Sequence, residues 1–145
     1  MKSCFMFGHA DAPDSIIHKL EEAVEALYSM GVTLFYVGSR GRFDSLAATA
    51  VKKVKRRHLN ISLNLLLAYH PAERPVDLWG EFDGSYYPPL ENVPRPYAIV
   101  RANQYMVNNS DYLICYVKYI GNTRKLLEYA QRRKTKEAIF NLAEE

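Results

Sequence analysis

Apolar positions along the chain change their period several times, from short unbroken runs to the three-and-four spacing of a helix face and back. Residues 3–7 are an apolar run closed by Gly8, too short for a helix and suited to a buried strand. Ile16, Ile17, Leu20, Ala23, Val24, Leu27 and Met30 then recur on one helical face, with residues 11–14 offering an N-terminal cap and Gly31 a stop. Residues 33–37 are rich in β-formers and run directly into Gly38-Ser39-Arg40-Gly41-Arg42-Phe43-Asp44. A second helix follows, with Leu46, Ala47, Ala50, Val51 and Val54 inward and Lys52, Lys53, Lys55, Arg56 and Arg57 outward. Residues 61–67 form a third apolar run without clean alternation, the mark of a strand buried on both faces of a parallel sheet.

The periodicity stops over residues 70–96, where most of the prolines lie with Trp79, Phe82, Tyr86 and Tyr87 among them. So many aromatics predict a long functional or packing loop rather than a linker. Beyond it the pattern predicts a third helix over 98–109 and a strand over 112–117. Gly121-Asn122-Thr123 then leads into a fourth helix carrying Leu126, Leu127, Tyr129 and Ala130, and 138–142 reads as a fifth strand. Strands alternating with amphipathic helices predict an α/β domain over 1–145, a three-layer Rossmann-like fold with a mostly parallel five-stranded sheet. In the doubly wound order 3-2-1-4-5, ligands bind beyond the carboxyl ends of the first and fourth strands, where the winding reverses.

Composition narrows the class. The chain has 145 residues, 48% hydrophobic and 24% charged, which excludes disorder and leaves room for one core. Two cysteines are no disulfide framework, and their positions inside the first and fourth strands predict neighbouring, reduced and inert thiols. The net charge of +3 permits an anionic ligand without demanding one. No apolar run approaches the roughly 20 residues of a membrane span. The expectation is a soluble, cytoplasmic protein with no membrane partner. Histidines at 9, 18, 58 and 70 lack metal-ligand spacing, so no metal site is expected.

Three loops converge at the predicted crevice: Gly8-His9, the segment Gly38 to Asp44, and residues 119–124. Glycines there let the backbone approach a ligand, and two helices begin immediately afterwards with unpaired N–H groups, a setting for phosphate or carboxylate. Arg40, Arg42, Arg101 and Arg124 are candidates for charge-assisted bonds to phosphate, or solvated surface residues. Thr123 fits a helix cap as well as a ligand contact. Asp44 fits a ribose hydroxyl or the helix dipole. His9 suits a phosphate contact, proton transfer or a structural hydrogen bond.

Phe7-Gly8-His9, the run Gly38-Ser39-Arg40-Gly41-Arg42-Phe43-Asp44-Ser45-Leu46-Ala47-Ala48, the run Phe82-Asp83-Gly84-Ser85-Tyr86-Tyr87-Pro88-Pro89, and Arg101-Ala102-Asn103-Gln104-Tyr105-Met106-Val107 with Ser110-Asp111 resemble the YpsA-like branch of the SLOG superfamily. The resemblance covers nearly the whole chain. It implies a Rossmann-like domain that binds a nucleotide or a derivative such as ADP-ribose or an NAD-derived signal. The ligand residues it implies are Gly8, His9, Gly38, Ser39, Arg40, Gly41, Asp44, Arg101, Asn122, Thr123 and Arg124, with His9 and Asp44 as candidate catalytic groups. Homo-oligomerisation is implied by kinship alone. Related phosphoribohydrolases carry an Arg-Lys pair where this chain has Ala102, and a glutamate where it has Leu126. A helix turns about 100° per residue, so neither Arg101 nor Glu128 substitutes without a register change. Glycosidic cleavage requires a carboxylate beside the sugar. A binding domain is therefore favoured over a nucleotide hydrolase acting on an N-glycosidic or phosphate ester bond. Single-stranded DNA binding through Lys52 to Arg57 ranks last, because cations also collect at helix carboxyl ends for the dipole alone.

Overall fold

A computed structural model describes residues 1–74, 76 and 81–143. In chain order the elements are β1 (Lys2–Gly8), α1 (Ile17–Ser29), β2 (Val32–Val37), α2 (Arg42–Lys55), β3 (Ser62–Leu66), β4 (Gly84–Tyr86), α3 (Ala98–Asn109), β5 (Tyr112–Tyr116), α4 (Asn122–Gln131) and β6 (Ile139–Asn141). The strands form one sheet in the order β4-β3-β2-β1-β5-β6, and every pairing is parallel. The sheet thus has six strands rather than the expected five, and it is all-parallel rather than mostly so. The additional strand, β4, lies inside the segment read as patternless and extends the sheet at its β3 edge. Without it, the order is the doubly wound one, reversing between β1 and β5.

Strand residues alternate between two cores. Cys4, Met6, Phe35, Val37, Leu63 and Ile114 pack with α1 and α2 on one face. Phe5, Phe7, Leu66, Leu113 and Cys115 pack with α3 and α4 on the other. Both faces of β1 are buried, which explains its unbroken apolar run. Cys4 and Cys115 sit on adjacent strands as expected, but they face opposite sides of the sheet. Burial pushes the Cys4 thiol up, so it stays protonated.

The helices begin differently from the sequence reading. A short 3-10 turn over Asp14–Ile16 precedes α1, and no side chain caps either. Asp14 instead pairs with Arg42 at 2.7 Å, tying the loop after β1 to the start of α2. Gly31 closes α1 as expected, at φ +96, a region that favours glycine.

β4 is held by contacts distant in sequence. The Asp83 carboxylate accepts the Leu63 N–H at 2.8 Å and pairs with Lys55 at 2.5 Å, while the Asp83 N–H donates to the Leu63 carbonyl. Tyr86 and Tyr105 join β4 to α3 through their hydroxyls, 3.1 Å apart. Trp79, counted among the aromatics of this loop, lies outside the described residues. Among the described residues no helix is long and apolar enough to cross a membrane.

Candidate functional site

Where the winding reverses, the carboxyl ends of the strands open into a cavity of about 550 Å³ on the α3 and α4 side of the sheet. Its floor is β1, through Phe5, Phe7 and Gly8. One wall is the loop from β2 into α2, through Gly38, Arg40, Gly41 and Asp44. The opposite wall is the start of α4, through Asn122, Thr123, Lys125 and Leu126, and α3 closes a side with Ile99, Val100, Asn103 and Gln104.

Close packing shapes this loop geometry. A side chain at Gly8 would place its Cβ 2.5 Å from the ring of Phe43, which is fully buried beneath the loop. At Gly41 the Cβ would lie 2.5 Å from the Cα of Ala10, and the Arg42 N–H donates to the Ala10 carbonyl at 2.8 Å. Gly41 thus lets two loops cross at backbone distance, and Gly8 leaves room for the Phe43 ring, whatever else they contact.

Helices α2 and α4 both start at the cavity, with Gly41 and Gly121 in the cap positions and no side-chain cap on either. Thr123 therefore lies inside α4 rather than capping it. Among the described residues neither the Asn122 nor the Thr123 N–H meets a protein acceptor. Unpaired donors and the positive end of the helix dipole coincide there.

Asp44 is the one carboxylate lining the cavity among the described residues. Its Oδ2 accepts the Arg40 N–H at 2.9 Å and sits 3.1 Å from the position a Gly38 Cβ would take. Burial raises its pKa above the ordinary 3.8, and the Arg40 N–H and the Arg40 charge pull the other way. The α2 wall carries both the Arg40 cation and the Asp44 carboxylate, and the α4 wall carries the cation of Lys125.

Other predicted residues lie outside this lining. The His9 ring is buried and engaged by the loop after β5: Nε2 accepts the Lys118 N–H at 2.8 Å and the Tyr119 N–H at 3.3 Å, and the ring stacks on Tyr119 at 3.7 Å. This is a structural bond that holds one cavity loop against another. Ser39 and Arg101 are exposed and outside the lining. Arg42 is paired with Asp14. Arg124 is outside the lining and near enough for its charge to act on His9, and its Nε is buried without a partner among the described residues. The sequence reading missed Asn103, Gln104 and Lys125. With Ile99 and Val100 lining the cavity, the i,i+4 rule places Asn103 and Gln104 beside them and Arg101 off that face.

Burial holds the His9 imidazole below its ordinary pKa of 6.5; Asp11 opposes this and Arg124 adds to it. A lowered histidine pKa means that the unfolded chain binds the proton first. This contribution to stability is complete above 6.5 and is lost as pH falls from there through the folded value. His9→Phe keeps a ring for stacking but removes the acceptor, at an expected cost of about 2 kcal/mol at neutral pH. Urea melts of both proteins from pH 7.5 to 5 are expected to converge as acid removes the wild-type advantage. A constant gap would contradict this role.

The basic run on α2 is largely neutralised. Lys52 pairs with Glu81, Lys53 with Glu21, Lys55 with Asp83, and Arg57 with Glu25. Exposed pairs add little stability, but they reduce the field that a nucleic acid would meet. Among the described residues no group of three or more His, Cys, Asp or Glu is placed to hold a metal ion. In comparisons with known proteins, no family model matches the chain and no curated protein matches it either.

Proposed function

We propose that the cavity binds a phosphate-bearing nucleotide or a derivative such as ADP-ribose or an NAD fragment, and that the domain acts as a sensor or carrier in the manner of the SLOG proteins it resembles. The observation that carries this reading is the start of α4, which faces the cavity with its Asn122 and Thr123 N–H groups unpaired among the described residues. A phosphate fits the α4 wall, where the Asn122 and Thr123 N–H groups and Lys125 supply donors and positive charge. Asp44 repels phosphate and suits ribose hydroxyls, which donate to a carboxylate. Phe7, Ile99, Val100 and Leu126 supply apolar surface for a base.

Leu126 lines the cavity at the position where related hydrolases carry a glutamate. That apolar contact favours binding over glycosidic cleavage. Hydrolysis is a second reading, favoured by Asp44 as the one carboxylate in the lining among the described residues, a place that suits a general acid or base. Homo-oligomerisation belongs to the same proposed kinship, and a cytoplasmic location is proposed from the sequence reading.

Mass spectrometry of the small molecules released on denaturing the purified protein tests the reading, together with thermal melts in a panel of adenine and guanine nucleotides. At 100 times its Kd, a ligand stabilises by about 2.7 kcal/mol, which for a domain of this size is a rise of roughly 10 °C. A released nucleotide or a saturable rise in one panel member is expected. No released nucleotide and no rise at millimolar concentrations would overturn the proposal. Turnover of the bound nucleotide that disappears in Asp44→Asn would establish the hydrolase instead.

A further inference from the structure

Three arginines from separate segments gather on one tyrosine beside the cavity. The guanidinium carbons of Arg74, Arg95 and Arg40 lie 4.0, 5.3 and 5.9 Å from the centroid of the Tyr69 ring. Arg40 comes from the loop between β2 and α2 and lines the cavity; Tyr69 directly follows Ala68, which also lines it. Arg95 begins the short turn that leads into α3, whose Ile99 and Val100 form the adjacent wall.

The charges in this cluster do not balance. Glu73 pairs with Arg95 at 2.7 Å, and among the described residues no carboxylate pairs with Arg40 or Arg74. A cation over an exposed aromatic face gains about 0.5–1 kcal/mol. Like charges gathered around one ring repel one another, the more so the less salt screens them. Tyr69 orients the guanidiniums without neutralising them. A phosphoryl group does both, because each guanidinium can offer it two parallel N–H donors.

Positive charge therefore stands at two places, the α4 helix start with Lys125 and the arginine cluster beside the cavity, which reaches its lining through Arg40, with the Asp44 carboxylate in that lining as well. A ligand with a single phosphate satisfies only one of them. We propose that Arg40, Arg74 and Arg95 on Tyr69 form a second phosphoryl subsite, so that the ligand carries two separated anionic phosphoryl groups. This deepens the nucleotide reading and rests on it for the identity of the group between the two phosphates.

Calorimetric titrations test the subsite with three probes: adenosine monophosphate, adenosine 3′,5′-bisphosphate and inorganic pyrophosphate. The proteins compared are the wild type, Arg74→Gln and the double variant Arg74→Gln/Arg95→Gln. The substituted side chains are exposed, and circular dichroism checks that each variant folds. Wild type is expected to bind the bisphosphate at least about tenfold more tightly than the monophosphate, a difference of about 1.4 kcal/mol. The double variant loses that gain and the single variant loses part of it. Equal affinity of wild type for the two nucleotides, or a gain that survives in the double variant, would overturn the subsite and leave the nucleotide reading standing. If neither nucleotide binds, an adenosine phosphate is ruled out as the ligand, and pyrophosphate decides the subsite by itself. Wild-type binding that is lost in the double variant supports it, and no binding or unchanged binding overturns it.

Discussion

Replacing Gly41 with alanine is expected to lower stability by about 3 kcal/mol, a fall in melting temperature of roughly 10 °C, and to abolish ligand binding. The added Cβ would meet the Cα of Ala10 at 2.5 Å and its Cβ at 2.7 Å. Backbone cannot rotate away as a flexible side chain does, so one of the two loops must move. The Arg42 N–H bond to the Ala10 carbonyl and the pair between Arg42 and Asp14 resist that movement. Because Ala10 and Gly41 both line the cavity, the displacement reshapes the α2 wall. Thermal or urea melts check the stability, and nucleotide titration checks the binding. A variant as stable as wild type would show that the two loops do not cross at this distance.

Asp44→Asn is expected to change stability and affinity in opposite directions. The folded protein raises the Asp44 pKa above 3.8, so ionisation is less favourable folded than unfolded. Stability is therefore lost as pH rises from 3.8 through the folded value, and the loss is complete above it. The asparagine variant carries no such charge, and its side-chain oxygen still accepts the Arg40 N–H. Its melting temperature at pH 7 should equal or exceed that of wild type, and the difference should close toward pH 4. Nucleotide affinity should fall, because a hydrogen bond from a ribose hydroxyl to a charged acceptor contributes about 1.5–3 kcal/mol, roughly ten- to a hundredfold. A more stable protein that binds less well is the usual pattern where a functional group is held at a cost to the fold. Unchanged affinity would remove Asp44 from ligand contact.

Much of this architecture was legible from periodicity. The third helix follows its apolar spacing to the residue, since Ala98, Ala102 and Met106 form a single buried stripe. The order of the five long-range strands followed from the parallel, doubly wound rule. Strand β4 was not legible, because Gly84, Ser85 and Tyr86 form no apolar run, unlike the equally short β6, and contacts from Asp83 to Leu63 and Lys55 fix its place. Within the site, the glycine loops were visible as motifs and their convergence came from topology. Side-chain direction was harder to read. His9 follows β1 at the crevice, yet its ring turns to the backbone of Lys118 and Tyr119. Arg101 and Arg124 are one residue from positions that line the cavity, and on a helix one residue is enough to face elsewhere. The gathering of Arg40, Arg74 and Arg95 on Tyr69 spans segments far apart in sequence, and no local pattern announces it.

Backbone amide shifts during a titration with adenosine monophosphate, followed by two-dimensional NMR on labelled protein, test the central claim most directly. The donors assigned to the ligand are backbone N–H groups, and this measurement observes them individually. The account predicts saturable shifts of Asn122 and Thr123, with Gly8, Gly38 and Gly41 following at the same midpoint. No shift at millimolar nucleotide, or shifts confined to the basic end of α2 between Lys52 and Arg57, would contradict it.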